Sequence, residues 1–139
     1  MELTAVALQT VAENQNVLFT DIVAYGNPSI VHRAGSGLVT LRGLTSQCRA
    51  RFKVSFGGNI AIPTGGTVEA ISMAITISGE PLGSTTMIET PAAVEEFNNI
   101  FSAVYIDVPA GCCLTVSVRN ISTQAIEVQN ANLIVERVA

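Results

Sequence analysis

Charged residues are scarce in this sequence, and their scarcity predicts that the chain does not work alone. They make up 13% of the 139 residues, against roughly 25% in typical soluble domains. Because a small monomer depends on charged side chains to cover its surface, we expect part of that surface to be hidden in an oligomer. Seven basic and 11 acidic residues give a net charge of −4, which argues against nucleic acid as the main partner.

The sequence has a single histidine, His32, and this limits the chemistry that it can support. A His-based metal site cannot form within one subunit, although three copies around a three-fold axis could still make one. Val31 and Arg33 beside it supply no partner, which favours a structural position at the edge of the core or at a subunit contact. Since no nucleophile, base and orienting group occur together in any motif, we predict no enzymatic activity, no cofactor and no metal.

Long hydrophobic runs are missing as well. No apolar segment approaches the roughly 20 residues of a membrane span, and Glu2 stands where a secretory leader would carry positive charge. The sequence therefore predicts a protein that is made and folded in a cytoplasm, with reduced thiols and no membrane contact. Asn120 begins an Asn-Ile-Ser sequon, which we expect to be unmodified without a leader.

What the sequence does have is an alternation of period two. In segment 48–56, Cys48, Ala50, Phe52, Val54 and Phe56 share one face, and polar residues share the other. This pattern predicts a strand with one face in a core. Further strand-like segments run over residues 4–11, 16–25, 29–34, 37–43, 68–80, 101–108, 113–120 and 124–138, with Gly- and Pro-containing turns between them.

These closely spaced strands predict a single all-β domain over residues 1–139, either a sandwich or a barrel. Segment 91–100 is the one stretch that could form a helical turn, beginning at Pro91, and a loop is the alternative. The adjacent Glu95 and Glu96 in that segment are expected to lie in solvent, since neighbouring side chains of an extended chain point apart.

Segment 68–80 suggests where a second subunit could pack. Its larger residues lie on one face, while Ala70, Ser72 and Ala74 lie on a face of small side chains. Such a face suits close approach by another layer or subunit, so we predict a subunit interface there.

Basic residues cluster in the first half of the chain. Arg49, Arg51 and Lys53 line one face of a predicted strand, and they are candidates for contact with a polyanion or another partner. No aromatic residues are interleaved with them to stack bases. A strand face kept soluble by charge, or pairing with glutamates of another subunit, is the favoured interpretation.

The three cysteines are predicted to pack and not to react. Counting by two from Val118 places Cys112 on an apolar face, and Cys48 belongs to the apolar face of its own strand. Cys113 then points to the opposite side, where it could enter a subunit contact. No Cys-x-x-Cys spacing exists, and adjacent strand residues point apart, so a shared metal is not expected. Cys48 and Cys112 are therefore predicted to be buried as small hydrophobes.

Three segments resemble the tumour necrosis factor and complement-head superfamily, in particular its bacterial and phage members. They are RFKVSF at 51–56, AISMAITISGEPLGS at 70–84 and VPAGCCLTVSVRNIS at 108–122. The resemblance implies a ten-stranded jelly-roll β-sandwich that assembles as a compact homotrimer. Two departures stand out: Cys112 occupies the place where many relatives have Asp, and the Gly-X-Y stalk of many relatives is not present.

We therefore hypothesise a non-enzymatic structural protein of a phage virion, a trimeric head-decoration or fibre-type protein assembled in the host cytoplasm. Its expected partners are its own copies and capsid or other virion proteins. The alternative is a trimeric carbohydrate- or receptor-binding head on a fibre, cell or spore surface. The loops at 26–37 or 91–101 would then bind the surface glycan or receptor.

Overall fold

The period-two segments form two antiparallel sheets. The computed structural model describes residues 1–26, 28–44, 48–111 and 113–139. Within them the helical content is one 3₁₀ turn, Gly83–Thr85. The strands in chain order are β1 Glu2–Ala5, β2 Gln9–Val11, β3 Asp21–Ala24, β4 Ile30–His32, β5 Val39–Arg42, β6 Arg49–Ala61, β7 Ile71–Ile77, β8 Glu80–Pro81, β9 Met87–Glu89, β10 Asn98–Pro109, β11 Cys113–Asn120 and β12 Ile126–Arg137.

Each sheet contains strands that are distant in sequence. The first sheet has the order β10-β6-β12-β1-β3, and β2 pairs with the beginning of β12. The second has the order β4-β5-β11-β7-β8, and β9 pairs with β7. Most neighbouring strands are thus distant in sequence, such as β1 and β12, as in a jelly roll. The strand pattern allows a sandwich or a barrel, and the structure is the jelly-roll sandwich that the resemblance implies.

The core lies between the sheets and is built from the alternating apolar faces. Phe52, Val54 and Phe56 of β6 are fully buried, as the pattern in segment 48–56 predicts. Phe19, which precedes β3, packs edge-on against Phe56 with ring centroids 6.3 Å apart. Burial of each such side chain contributes about 1.5–3 kcal/mol to folding.

The strand count is twelve where the resemblance implies ten, because two short strands add to the set. The predicted strand at 4–11 is interrupted at residues 6–8, so that β1 and β2 pair separately with β12. The two-residue β8 closes the turn after β7. Segment 91–97 is a loop and not a helical turn, and β10 begins at Asn98.

The predicted burial of Cys48 is wrong. The residue is exposed and lies just before β6, which begins at Arg49. Its carbonyl accepts a hydrogen bond from the Ala110 backbone at 3.0 Å, but the alternation ends at the strand boundary and no longer directs the side chain into the core. Cys112 lies outside the described residues. Cys113, at the start of β11, is exposed.

Candidate functional site

The solvent-side face of the first sheet, called the outer face below, carries large apolar side chains that nothing in the single chain covers. Along β10, Ile106 and Val108 point into the core, so Phe101 and Tyr105 point outward by the period of two. Phe101 is 66% exposed and Tyr105 63%. Ile134 of β12 adds a third apolar side chain, 40% exposed. Exposed groups of this kind on one face mark interaction surfaces.

Strand register brings these side chains into one surface. Phe101 pairs with Gly57 of β6, and an atom at the Cβ position of Gly57 would lie 3.6 Å from the Phe101 ring. The Phe101 ring therefore lies over β6, within van der Waals contact of the Gly57 position. Ser55, the partner of Ile134, is also small. The centre of the outer face is therefore apolar, with small residues between the larger ones.

One end of the outer face is charged, and its charges are paired. The Arg51 guanidinium donates two hydrogen bonds to the Asp107 carboxylate, at 2.8 and 3.1 Å, and Arg49 lies 3.9 Å from the same group. The Arg51 hydrogen bond holds the pKa of Asp107 below its usual value. Lys53 stands in register between Tyr105 and Glu136. The predicted basic contact surface, Arg49, Arg51 and Lys53, thus lies beside carboxylates, and these reduce its positive potential.

The other end of the outer face carries a row of amides across three strands. Asn99 donates from Nδ2 to Oδ1 of Asn59, and Asn59 donates in the same way to Asn130, each at 3.2 Å. Asn130 has a positive φ of 56°, at the point where the register of β12 shifts. The row is polar but uncharged, so the outer face as a whole is nearly neutral.

The predicted small-residue interface on the second sheet is only partly available. Ala74 has no exposed surface in the single chain, and neither does Thr76. Arg119, the register partner of Ala74, lies on the same face, and its Nη1 donates to the Gly79 carbonyl at 2.8 Å. Its side chain must run along this face past Thr76 to reach Gly79. The assignment of Ala74 to a subunit contact is therefore corrected.

The other three predicted interface residues do have accessible surface. Ala70, just before β7, is exposed, Ser72 is half-buried and Cys113 is exposed. They do not form one patch, because Ser72 pairs with Ile88 of β9 while Cys113 pairs with Arg42 of β5. Their role in self-association stays a prediction.

His32 has a structural environment. Nδ1 lies 3.0 Å from the Leu38 carbonyl, and Nε2 lies 3.4 Å from the Phe19 carbonyl. The side chain therefore ties β4 to the turn before β5 and to the segment that leads into β3. Across residues 1–26, 28–44, 48–111 and 113–139, no three His, Cys, Asp or Glu side chains are grouped as metal ligands.

Two glutamates meet at the end of the sandwich. Glu95, with a φ of 61°, accepts hydrogen bonds from the backbone N and the hydroxyl of Thr64, both at 2.9 Å. These bonds lower the pKa of Glu95, and the contact with the Glu127 side chain lowers it further. Burial and the same contact raise the pKa of Glu127. The contact joins the loop before β10 to the beginning of β12. Glu95 and Glu96 are both exposed in this loop, as the sequence predicts.

The fold makes the Asn120 sequon inaccessible to glycosylation. The side chain is fully buried, and its Nδ2 donates to the carbonyl of Val11 at the end of β2 and to that of Gln124 in the loop before β12. An oligosaccharide could not be attached to Nδ2 in this fold.

The solved structures that the chain matches identify its architecture. It superposes on Eiger TNF from S. frugiperda with a TM-score of 0.70 at 14% identity, covering 100% of this chain and 92% of that one. The fold is the jelly roll of tumour necrosis factor and C1q heads. The globular domain of zebrafish complement 1qA matches with a TM-score of 0.63 at 10% identity, covering 95% and 92% of the two chains. Murine APRIL matches at 0.55 and 12%, covering 95% and 96%.

Sequence comparison adds nothing to the structural match. No protein-family model matches the chain, and no curated protein sequence does. In the part of the chain that the structure describes, no helix is long and apolar enough to cross a membrane.

Reasoning from the sequence missed the outer face, although a signal was there. In segment 101–108 the alternation assigns Phe101 and Tyr105 to the face opposite Ile106 and Val108. Aromatic residues on the polar face of an amphipathic strand indicate a surface that is covered by something other than water.

Proposed function

We propose that the chain is a non-enzymatic structural domain that works as a homotrimer and whose copies meet through the outer face. The observation that carries this proposal is the exposure of Phe101, Tyr105 and Ile134 on one face of one sheet, where β10 and β12 flank β6. A side chain such as Phe101, with about 200 Å² of surface that is two-thirds exposed, would contribute about 3 kcal/mol on burial at about 25 cal/mol per Å².

Composition and fold support self-association. Only 13% of the residues are charged, so a single chain lacks the polar cover that a small monomer needs. The superfamily that the sequence resembles implies a trimer, and the jelly roll is the fold of that superfamily. The paired charges of Arg51 and Asp107 leave the outer face nearly neutral, so charge repulsion does not oppose burial of this face against a neighbouring copy.

The trimer is best suited to a repeating surface, and we place it on a phage virion as a head-decoration or fibre-type protein. Three identical copies present three identical docking surfaces, so that weak contacts to a capsid lattice add as avidity. The expected partners beyond its own copies are therefore capsid or other virion proteins. Assembly in the host cytoplasm agrees with the exposed thiols of Cys48 and Cys113.

Self-association is tested by sedimentation equilibrium at micromolar concentration. The wild type is expected to be a trimer, and Tyr105→Ser combined with Ile134→Ser is expected to be a monomer. The matched control is Ile88→Ser, because Ile88 is an equally exposed strand residue, at 67%, on the other sheet. A wild type that sediments as a monomer contradicts the proposal, and so does a control variant that dissociates as readily as the double variant.

The virion assignment is tested by mass spectrometry of purified particles. Particles of the phage that encodes the chain are expected to contain it in copy numbers that are multiples of three. Its absence from particles while it is abundant in the infected cell would exclude a virion role and leave the trimer untouched.

A second function has one specific observation in its favour. Tyr25 is 80% exposed and directly precedes the 26–37 loop region that the sequence marks as a candidate binding loop. An exposed aromatic ring can stack on the apolar face of a sugar, so the trimer could be a carbohydrate- or receptor-binding head on a fibre, cell or spore surface. Glycan-array binding that is lost in Tyr25→Ser and kept in Tyr105→Phe would support this function over decoration. No binding by the wild type would count against it.

A further inference from the structure

Two separate apolar features lie on opposite edges of the first sheet. Phe101 projects from β10, one edge strand. Near the other edge, where β1 ends, the chain forms an open hollow of about 200 Å³, called the edge hollow below. It is lined by Ala5, Ala7, Leu8, Gln9, Leu18 and Thr20.

The edge hollow is built by the break between β1 and β2. Residues 6–8 leave the sheet, and the Gln9 side chain then takes the place of a backbone partner. It donates to the Leu18 carbonyl and accepts from the Leu18 amide, both at 3.0 Å. Thr20 is held by a bond from its amide to the Thr4 carbonyl at 3.1 Å. The walls are therefore fixed before any partner arrives, which keeps the cost of binding low.

Symmetry requires a pair of different surfaces. In a closed ring of three copies each contact is head-to-tail, so one patch of a copy meets a different patch of the next. A protruding aromatic side chain at one edge and a preformed apolar hollow near the other are such a pair. Both lie among uncharged residues, since Asn99 and Ala103 flank Phe101 on its face and none of the described residues that line the hollow is ionisable.

The two features also lie at the same level along the strands. Register pairs Phe101 with Gly57, Gly57 with Asn132, and Asn132 with Thr4. Thr4 is bonded to Thr20, which lines the hollow. Because a closed ring has no translation along its axis, groups that meet must share a level. A three-fold axis along the strands satisfies this for Phe101 and the hollow.

The volume of the edge hollow also fits a phenyl ring. An apolar cavity of about 150 Å³ is large enough to bind benzene, and the edge hollow is somewhat larger. We propose that the phenyl ring of Phe101 of each copy inserts into the edge hollow of the next copy and so closes the trimer. This inference rests on the proposed self-association and names the residues that make its contact.

The first test removes the ring or fills the hollow. Phe101→Ser deletes the ring, and Ala7→Trp places an indole where the ring would enter. Each is expected to weaken the trimer at least about 30-fold, the effect of losing a central aromatic contact. The controls are Ile88→Ser and Ala92→Trp, which change exposed residues outside both features and are expected to leave the trimer within threefold of wild type. Far-UV circular dichroism checks folding, and Leu8→Arg replaces Ala7→Trp if the latter is unfolded.

The second test mixes the two defective variants. The Ala7→Trp chain keeps its ring and the Phe101→Ser chain keeps its hollow, so one contact can form between them. Sedimentation of the mixture is expected to show one-to-one heterodimers that do not close into trimers, at concentrations where each variant alone is monomeric.

The outcomes separate the inference from the proposed function. A wild-type trimer that survives both Phe101→Ser and Ala7→Trp overturns the inference and leaves the trimer standing. Defective variants that do not combine when mixed also overturn it. A wild-type chain that is monomeric overturns both.

Discussion

Asn120 is predicted to be the polar side chain whose loss costs the fold the most. It is fully buried at the end of β11 and joins three segments. Nδ2 donates to the carbonyls of Val11 at 3.0 Å and Gln124 at 2.9 Å, with a longer contact of 3.3 Å to Ala12. Oδ1 accepts from the Ser122 amide at 2.9 Å.

The cost of Asn120→Ala follows from these bonds. The substitution removes hydrogen bonds of about 1 kcal/mol each and leaves the Ser122 amide buried without its acceptor, for a further 1–3 kcal/mol or so. We expect a loss of about 3–5 kcal/mol, a large fraction of the roughly 5–15 kcal/mol that stabilises a typical domain.

Urea unfolding followed by far-UV circular dichroism measures this loss. All variants are compared at one protein concentration, because self-association adds to apparent stability. The control is Asn99→Ala, since Asn99 is exposed and donates one bond to Asn59, and we expect a change below about 0.5 kcal/mol for it. A loss below about 1 kcal/mol for Asn120→Ala would refute the reasoning.

Two further predictions concern the glutamate pair and the core. Because the pKa of Glu127 is raised in the folded state, its protonated form favours folding, and this contribution falls as the pH rises above the ordinary glutamate value. The wild-type protein is therefore expected to lose stability between acid and neutral pH, and Glu127→Gln is expected to abolish that loss. Glu95→Gln is expected to weaken the fold at neutral pH, because the pKa of Glu95 is lowered in the folded state. Thermal melts across this range test both, and identical pH profiles for Glu127→Gln and wild type would contradict the first. In the core, Phe52→Ala is expected to cost about 3–5 kcal/mol, while Cys48→Ser should change the unfolding free energy by less than about 0.5 kcal/mol because Cys48 is exposed. Urea titration measures the unfolding free energy of these two variants. Equal losses would contradict the exposure of Cys48 and the start of β6 at Arg49.

Strand patterning predicted most of the core. The alternation at Phe52, Val54 and Phe56 is local, and these side chains are buried as the period of two requires. It failed at Cys48 because periodicity cannot tell where a strand begins, and one residue beyond the boundary the backbone no longer alternates. The architecture followed from the spacing of strands and turns and from the resemblance.

The candidate site depends on pairings that no local pattern contains. Phe101 lies beside Gly57 only because β10 pairs with β6. The number of residues between two strands does not reveal which of their residues pair. Ala74 is buried although the sequence predicts an open face of small residues there, and its partner Arg119 lies on that face and bonds to Gly79. The edge hollow likewise exists because Gln9 bonds to Leu18 in place of a strand.

Hydroxyl-radical footprinting of the wild-type protein, read by mass spectrometry, tests the central claim most directly. In a single chain Phe101, Tyr105 and Tyr25 are all well exposed, at 66%, 63% and 80%. If copies meet through the outer face, oxidation of Phe101 and Tyr105 will fall as the protein is concentrated from nanomolar to micromolar, while Tyr25 stays reactive and serves as the internal control. Equal and unchanged oxidation of all three side chains across that range would contradict the account.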